Sequence, residues 1–168
     1  DTDDGDSGLA PVLDANQINW HSFHNLTPNQ FAIDLDLRKD ANFLIDIEID
    51  QIDGQKLFSG VWQHNPDDRL WAEFHDLTEI QFYQLWSQYQ ELGYRLIDQE
   101  SYLLGNQRYY AGIWLENPEE YTWISHLNST STQFSESFEQ YKHNYLPSDL
   151  DAYTVDGTTR YAHLWVEN

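Results

Sequence analysis

Tryptophan recurs in this chain at a fixed period. Trp20, Trp71 and Trp123 stand 51 and 52 residues apart, and a phenylalanine follows each by eleven positions: Phe31, Phe82 and Phe134. A second series, Trp62, Trp114 and Trp165, repeats at 52 and 51. Three markers at one period define three copies of a unit of about 51 residues. Such a unit is a supersecondary motif that stacks on its neighbours to bury a continuous core.

The chemistry between the markers gives the unit its elements. Thr27-Pro-Asn-Gln30, Thr78-Glu-Ile-Gln81 and Ser-containing Thr130-Ser-Thr-Gln133 share the pattern Thr-x-x-Gln. This is a capping box: the hydroxyl accepts the third helical N–H and the Gln reaches back to the cap amide. Pro28 suits the first helical position. A helical period follows, with Phe82, Leu85, Trp86, Tyr89 and Leu92 on one face of the second helix. Phe134, Phe138 and Tyr141 mark the third helix, and Phe31 and Leu35 the first. Gly93 ends the second helix, with Asn42 and Asn144 in the comparable places. The period then changes to two. Tyr94–Tyr102 and Arg108–Trp114 read as two strands joined at Gly105-Asn-Gln, and Asp53-Gly54 and Asp156-Gly157 are hairpin signals in the other units. Asn65-Pro-Asp-Asp68 and Asn117-Pro-Glu-Glu120 then lead into the next unit, where we expect a hairpin between neighbours. The expected fold is α+β: three tandem strand-helix-strand-strand repeats, antiparallel sheets with three packed helices. The divisions are an acidic segment 1–19 with a candidate strand at 9–13, then repeats at 20–70, 71–122 and 123–168, in one compact domain.

On this reading the array has a spare strand at each end. Leu9, Val12 and Leu13 stand on the first, Tyr161, Leu164 and Trp165 on the last. Unpaired edges invite strand addition. The two ends either close on one another or join molecules head to tail into an oligomer or filament. A frayed terminal segment is the alternative, and Pro11 weighs against pairing.

The charge narrows the partners. Twenty-nine acids against eight bases leave a net charge of −21. That surface repels phosphate backbones and anionic membranes, so nucleic acid is excluded as an expected partner. Cations, basic proteins and neutral glycans remain, beside plain solubility. The aromatic content of 15% requires a folded core. There is no Cys, which removes disulfides and thiolate metal sites, and no apolar run long enough to span a membrane. A chain without Met that opens at Asp1 reads as processed, as by removal of a signal peptide; the expected setting is secreted or cell-surface.

Gly93-Tyr-Arg-Leu-Ile-Asp, Tyr102 and Arg108-Tyr-Tyr-Ala-Gly-Ile-Trp114 together resemble the structural repeat of polyglycine hydrolase-like proteins, also called bacterial tandem repeat domain 1. Arg160-Tyr-Ala-His-Leu-Trp165 resembles it in the third unit, where Asn144-Tyr-Leu replaces Gly-Tyr-Arg. The first unit departs most, with Asn42-Phe-Leu and Leu57-Phe-Ser-Gly-Val-Trp62. The resemblance spans about residues 20–168. It implies a non-catalytic scaffold, of a kind found beside serine-hydrolase domains that resemble β-lactamases. Such a domain needs Ser-x-x-Lys; neither that motif nor Gly-x-Ser-x-Gly occurs in this sequence.

Other candidate chemistry is weaker. His24 and His75 are repeat-equivalent and His126 is one place off, which suggests copied structure, and no His-x-x-x-His spacing occurs. With so many acids, any carboxylate pair could be named as a glycosidase pair. Asp1, Asp3, Asp4 and Asp6, with Gly5, are the candidate calcium ligands, although the EF-hand spacing fails and a solvated acidic tail explains them as well. Asn25 and Asn128 head N-x-Thr sequons, of which Asn128 is the better acceptor because Pro28 follows the first. The repeated tryptophans read as core before glycan platform. We therefore expect a secreted, non-enzymatic repeat protein with a structural or interaction role. It has no required cofactor, calcium being the candidate cation. The alternatives are a glycan- or calcium-binding module and an accessory domain of a serine hydrolase.

Overall fold

A computed structural model describes residues 19–168. Each unit is a strand, a helix and two further strands. The first contains β1 (Trp20–Leu26), α1 (Pro28–Arg38), β2 (Asn42–Ile52) and β3 (Gln55–His64). The second contains β4 (Trp71–Leu77), α2 (Glu79–Glu91), β5 (Tyr94–Leu104) and β6 (Gln107–Glu116). The third contains β7 (Trp123–Ser129), α3 (Ser131–Tyr141), β8 (Tyr145–Val155) and β9 (Thr158–Glu167). The α+β arrangement expected from the periodicity is the one observed. Among the described residues, no helix is long and apolar enough to cross a membrane.

Local chemistry builds these elements as anticipated. Gln30, Gln81 and Gln133 accept the backbone N–H of Thr27, Thr78 and Thr130 at 2.8–2.9 Å. Thr78 and Thr130 return the bond to the N–H of Gln81 and Gln133. Asp53-Gly54 and Asp156-Gly157 hold positive φ at both residues, the geometry of a tight hairpin turn that matches strand twist. Leu92 does not join the apolar face of α2; it caps the helix and is exposed.

The pairing of the strands differs from the expectation. Each sheet is closed within its own unit, in the orders β1-β3-β2, β4-β6-β5 and β7-β9-β8. The return strand lies in the middle, antiparallel to both the first strand and the strand before it. It makes no hairpin with the next unit. The Asn-Pro loops instead fold on themselves: Asn65 Oδ1 accepts the N–H of Arg69 while its amide donates to the Arg69 carbonyl, and Asn117 does the same around Tyr121.

This topology corrects the reading of the chain's end. β9 is flanked by β7 and β8, so its backbone edge is not spare.

The tryptophan series divide the packing between them. Trp62, Trp114 and Trp165 on the central strands are fully buried. Trp71 packs edge-on against Trp62 of the unit before it, with ring centroids 5.7 Å apart, and Trp123 packs against Trp86 on α2 at 5.1 Å. Trp20 is 59% exposed, with no earlier described unit to receive it. One apolar cluster joins Phe31, Phe58 and Trp62 to Tyr102, Ala111 and Ile113 of the second unit; another joins Phe82 and Trp114 to Leu127 and Leu164 of the third. Each boundary between units is thus bridged by its own apolar cluster.

Candidate functional site

The inner strands β2, β5 and β8 converge, β5 lying against both of the others. Each carries a bulge at the same register, between Leu44 and Asp46, Leu96 and Asp98, Pro147 and Asp149. A bulge re-aims the side chains that follow it. An acid-x-acid pair comes next in every unit: Asp46 and Glu48, Asp98 and Glu100, Asp149 and Asp151. The alternation of a strand puts both acids of a pair on one face. Their partners on the central strand correspond as well. Asp46, Asp98 and Asp149 oppose Val61, Ile113 and Leu164; Glu48, Glu100 and Asp151 oppose Ser59, Ala111 and Ala162.

Six carboxylates therefore gather along one seam. Asp98, only 3% exposed, spans two units by accepting the N–H of Ile47 at its Oδ2, 3.1 Å away. Carboxylate oxygens of Asp98, Glu100 and Asp149 all lie within 4.8 Å of one another. Glu100 is 6% exposed and, among the described residues, makes no hydrogen bond through its side chain. Asp149 Oδ2 and Asp151 Oδ2 are buried and, among the described residues, have no hydrogen-bond partner. The seam opens on a groove of about 430 Å³, lined by Glu48, Glu100, Asp151, Tyr102, Tyr153 and Arg108 among others. Arg108 is the one base on that wall. It donates to Ser101 Oγ at 2.6 Å and to the Thr154 carbonyl at 2.8 Å, and lies over the Tyr153 ring.

Burial shifts every member of the cluster upward, and like charges add to it at Glu48, Asp98, Glu100 and Asp149. Desolvation is the largest cause throughout. It raises Asp98 well above the carboxylate range, with Asp149 and Asp46 adding repulsion and the Ile47 N–H opposing. Glu100 is pushed up to about 11 by burial and then by Glu48 and Asp98. Asp149 rises to about 7, its burial offset in part by the Gln99 and Leu150 backbone, and Glu48 rises to about 6. Asp46 and Asp151 rise for the same first reason, Asp151 being held back by the Ala152 and Ser101 backbone and by Arg108. A cluster like this is neutralised by protons or by a cation.

The residues singled out from sequence lie elsewhere. Asp1, Asp3, Asp4 and Asp6, and Leu9, Val12 and Leu13, fall outside the described residues. Tyr161, Leu164 and Trp165 sit on the central strand β9: Leu164 and Trp165 are buried, and Tyr161 stacks on Phe134 at 5.0 Å. They are core residues rather than an assembly edge. Asn25 and Asn128 are both exposed, on β1 and β7. The histidines serve separate packings. His24 is exposed, His75 meets Phe31 and Phe58 edge-on, and His126 lies against His163 and Tyr141.

One buried pair has the residue types of a hydrolytic dyad. Ser129 Oγ is 2.9 Å from His163 Nε2, and Trp165 Nε1 is 2.7 Å from His163 Nδ1. An indole N–H only donates, so Nδ1 accepts and the neutral ring carries its proton on Nε2. His163 then donates to Ser129 and cannot take its proton. Burial, and after it His126, lowers His163 to about 4, in keeping with a neutral structural ring.

The seam acids escaped the sequence reading because 29 acids concealed them. Their signal was there: acid-x-acid at one register after each helix, within strands that otherwise alternate with apolar residues.

Comparison with known proteins bears on the units themselves. Residues 69–117 and 121–168 each match the model of a family described as polyglycine hydrolase-like, structural repeat, together more than half of the chain. Each match runs from just before the first strand of a unit to the end of its central strand. No curated protein matches the chain.

Proposed function

Since the chain belongs to the polyglycine hydrolase-like structural-repeat family, we propose that it works as a non-catalytic scaffold: a short, rigid array whose role is structural or interactive. The observation that carries this reading is the shared interior. Side chains of each unit complete the core of the one before it, as Trp71 does against Trp62 and Leu127 beside Phe82. An array of this kind presents a fixed outer surface, which is what a repeat protein offers a partner. The Ser129–His163 pair supports the same reading, because its protons run the wrong way for nucleophilic attack. An extracellular setting is part of the proposal, and the exposed Asn128 of the second sequon is compatible with it.

Incubation of the purified chain with activated esters and with glycine-rich peptides tests the reading. Hydrolysis no faster than buffer is expected. Turnover that disappears in Ser129→Ala would overturn it. Light scattering after size exclusion adds a second arm, because β9 has both edges occupied: assembly of this chain through β9 would contradict the sheet order.

A further inference from the structure

We propose that Asp98, Glu100 and Asp149 bind one calcium ion in the seam between units, so that the scaffold is locked by a cation rather than by apolar packing alone. This goes beyond the scaffold reading and does not depend on it.

Three observations converge on the site. The first is geometry. Ligand oxygens of the three carboxylates lie within 4.8 Å of one another. Oxygens on opposite sides of one calcium ion are about 4.6–5.2 Å apart, given Ca–O distances of roughly 2.3–2.6 Å. The second is the state of Glu100. It is 6% exposed, has no hydrogen-bond partner among the described residues, and is aimed at Asp98 and Asp149. A buried carboxylate without a partner is destabilising as a charge unless a proton or a cation neutralises it. Asp149 Oδ2 is a buried oxygen that, among the described residues, has no hydrogen-bond partner. The third is access. Glu100 also lines the open groove, so the site is reached from solvent past Glu48 and Asp151.

The donor set selects the ion. All three ligands are carboxylates, with no imidazole or thiolate, which suits a hard cation and not zinc or copper. Magnesium demands an octahedron near 2.0–2.1 Å and keeps most of its water, whereas calcium accepts irregular carboxylate sets. The other charged groups facing the seam and its groove are Asp46, Glu48, Asp50 and Asp151, which add attraction, and Arg108, already committed to Ser101 and Thr154. The site ties strands of two units directly, β5 by Asp98 and Glu100 and β8 by Asp149. It reaches the third through the Asp98 bond to Ile47.

Calorimetric titration of the chelator-treated chain at pH 7.5 tests this, with calcium chloride and, separately, magnesium chloride at equal ionic strength. The expected result is one calcium per chain, release of protons seen as a dependence of the heat on the buffer, and a melting point raised by about 5 °C at saturation. Glu100→Gln should weaken binding at least tenfold, while Glu136→Gln on the exposed face of α3 should leave it unchanged. Gln is isosteric with a protonated Glu, and circular dichroism checks that the variant folds. No heat and no melting shift with the wild-type chain would overturn the proposal without recourse to any variant. So would an equal response to magnesium, which marks screening of the net charge, or a Glu100→Gln variant that binds as the wild type does.

Discussion

β5 and β8 are the same strand by design: eleven residues, one bulge at the same register, one acid-x-acid pair after it. β5 is buried along most of its length, whereas β8 is largely exposed. The difference is position. β5 lies between two inner strands, and β8 has a neighbour on one side. The middle pair is therefore shifted furthest: Asp98 stands well above the carboxylate range, where its counterpart Asp149 reaches about 7. Repetition copies a residue into each unit, and the array then assigns each copy a different environment. A repeat-equivalent acid can be a solvated charge at one end and a buried neutral or cation-bound group in the middle.

Truncating two of the three buried indoles probes that asymmetry with the largest effect. Trp114 packs against Phe74, Phe82 and Tyr89, and Trp165 against Phe138, Tyr141 and His163. Either Trp→Ala change should cost about 3–5 kcal/mol of unfolding free energy in urea. The distribution should differ: Trp114→Ala loosens all three units, and Trp165→Ala leaves protected amides in the first two. Equal loss throughout from both variants would break the comparison.

The pH response sharpens it. The folded pKa of Glu100 is raised above the unfolded value, so the folded state holds a proton that the unfolded state has lost. Its stabilising contribution is fully present below pH about 4.5 and is lost as pH rises toward 11. Asp149 adds the same sign between about 4 and 7. The metal-free chain should become less stable from pH 5 to pH 8, by up to about 1.4 kcal/mol per pH unit for each such group. Glu100→Gln should flatten the slope more than Asp149→Asn, and Glu48→Gln least. Melting temperatures across that range decide the order.

The helix caps should show the smallest effect and the least asymmetry. Thr78→Ala and Thr130→Ala each remove the hydroxyl that accepts the N–H of Gln81 or Gln133 at the protein surface. Each should cost about 1 kcal/mol, with no preference for the middle unit. A large difference between them would mean that the helices, and not only the inner strands, feel their place in the array.

What the sequence disclosed follows the same division. The capping boxes, the Asp-Gly turns and the tryptophan period were legible because each is fixed by residues near in the chain. Strand order was not. A period of two identifies a strand and one buried face, but not its partner. The return strand pairs back across the helix to β1, β4 or β7 instead of forward to the next unit. The seam was hidden for a related reason. Asp98 and Glu100 look like any exposed pair until β2 and β8 close over them, and no local rule in the sequence announces that burial. Tyr161, Leu164 and Trp165 follow the same topology, since β9 is a central strand and not a terminal edge.

Each unit completes its core with side chains of its neighbour, and β5 stands in the middle of the array. Residue-resolved amide hydrogen exchange of the metal-free chain tests that arrangement most directly. The slowest amides are expected in β5 and β6, exchanging together through global unfolding, with β2 and β8 opening at lower cost. Equal and independent exchange of the three inner strands would mean that the units are merely strung together, and would contradict the account.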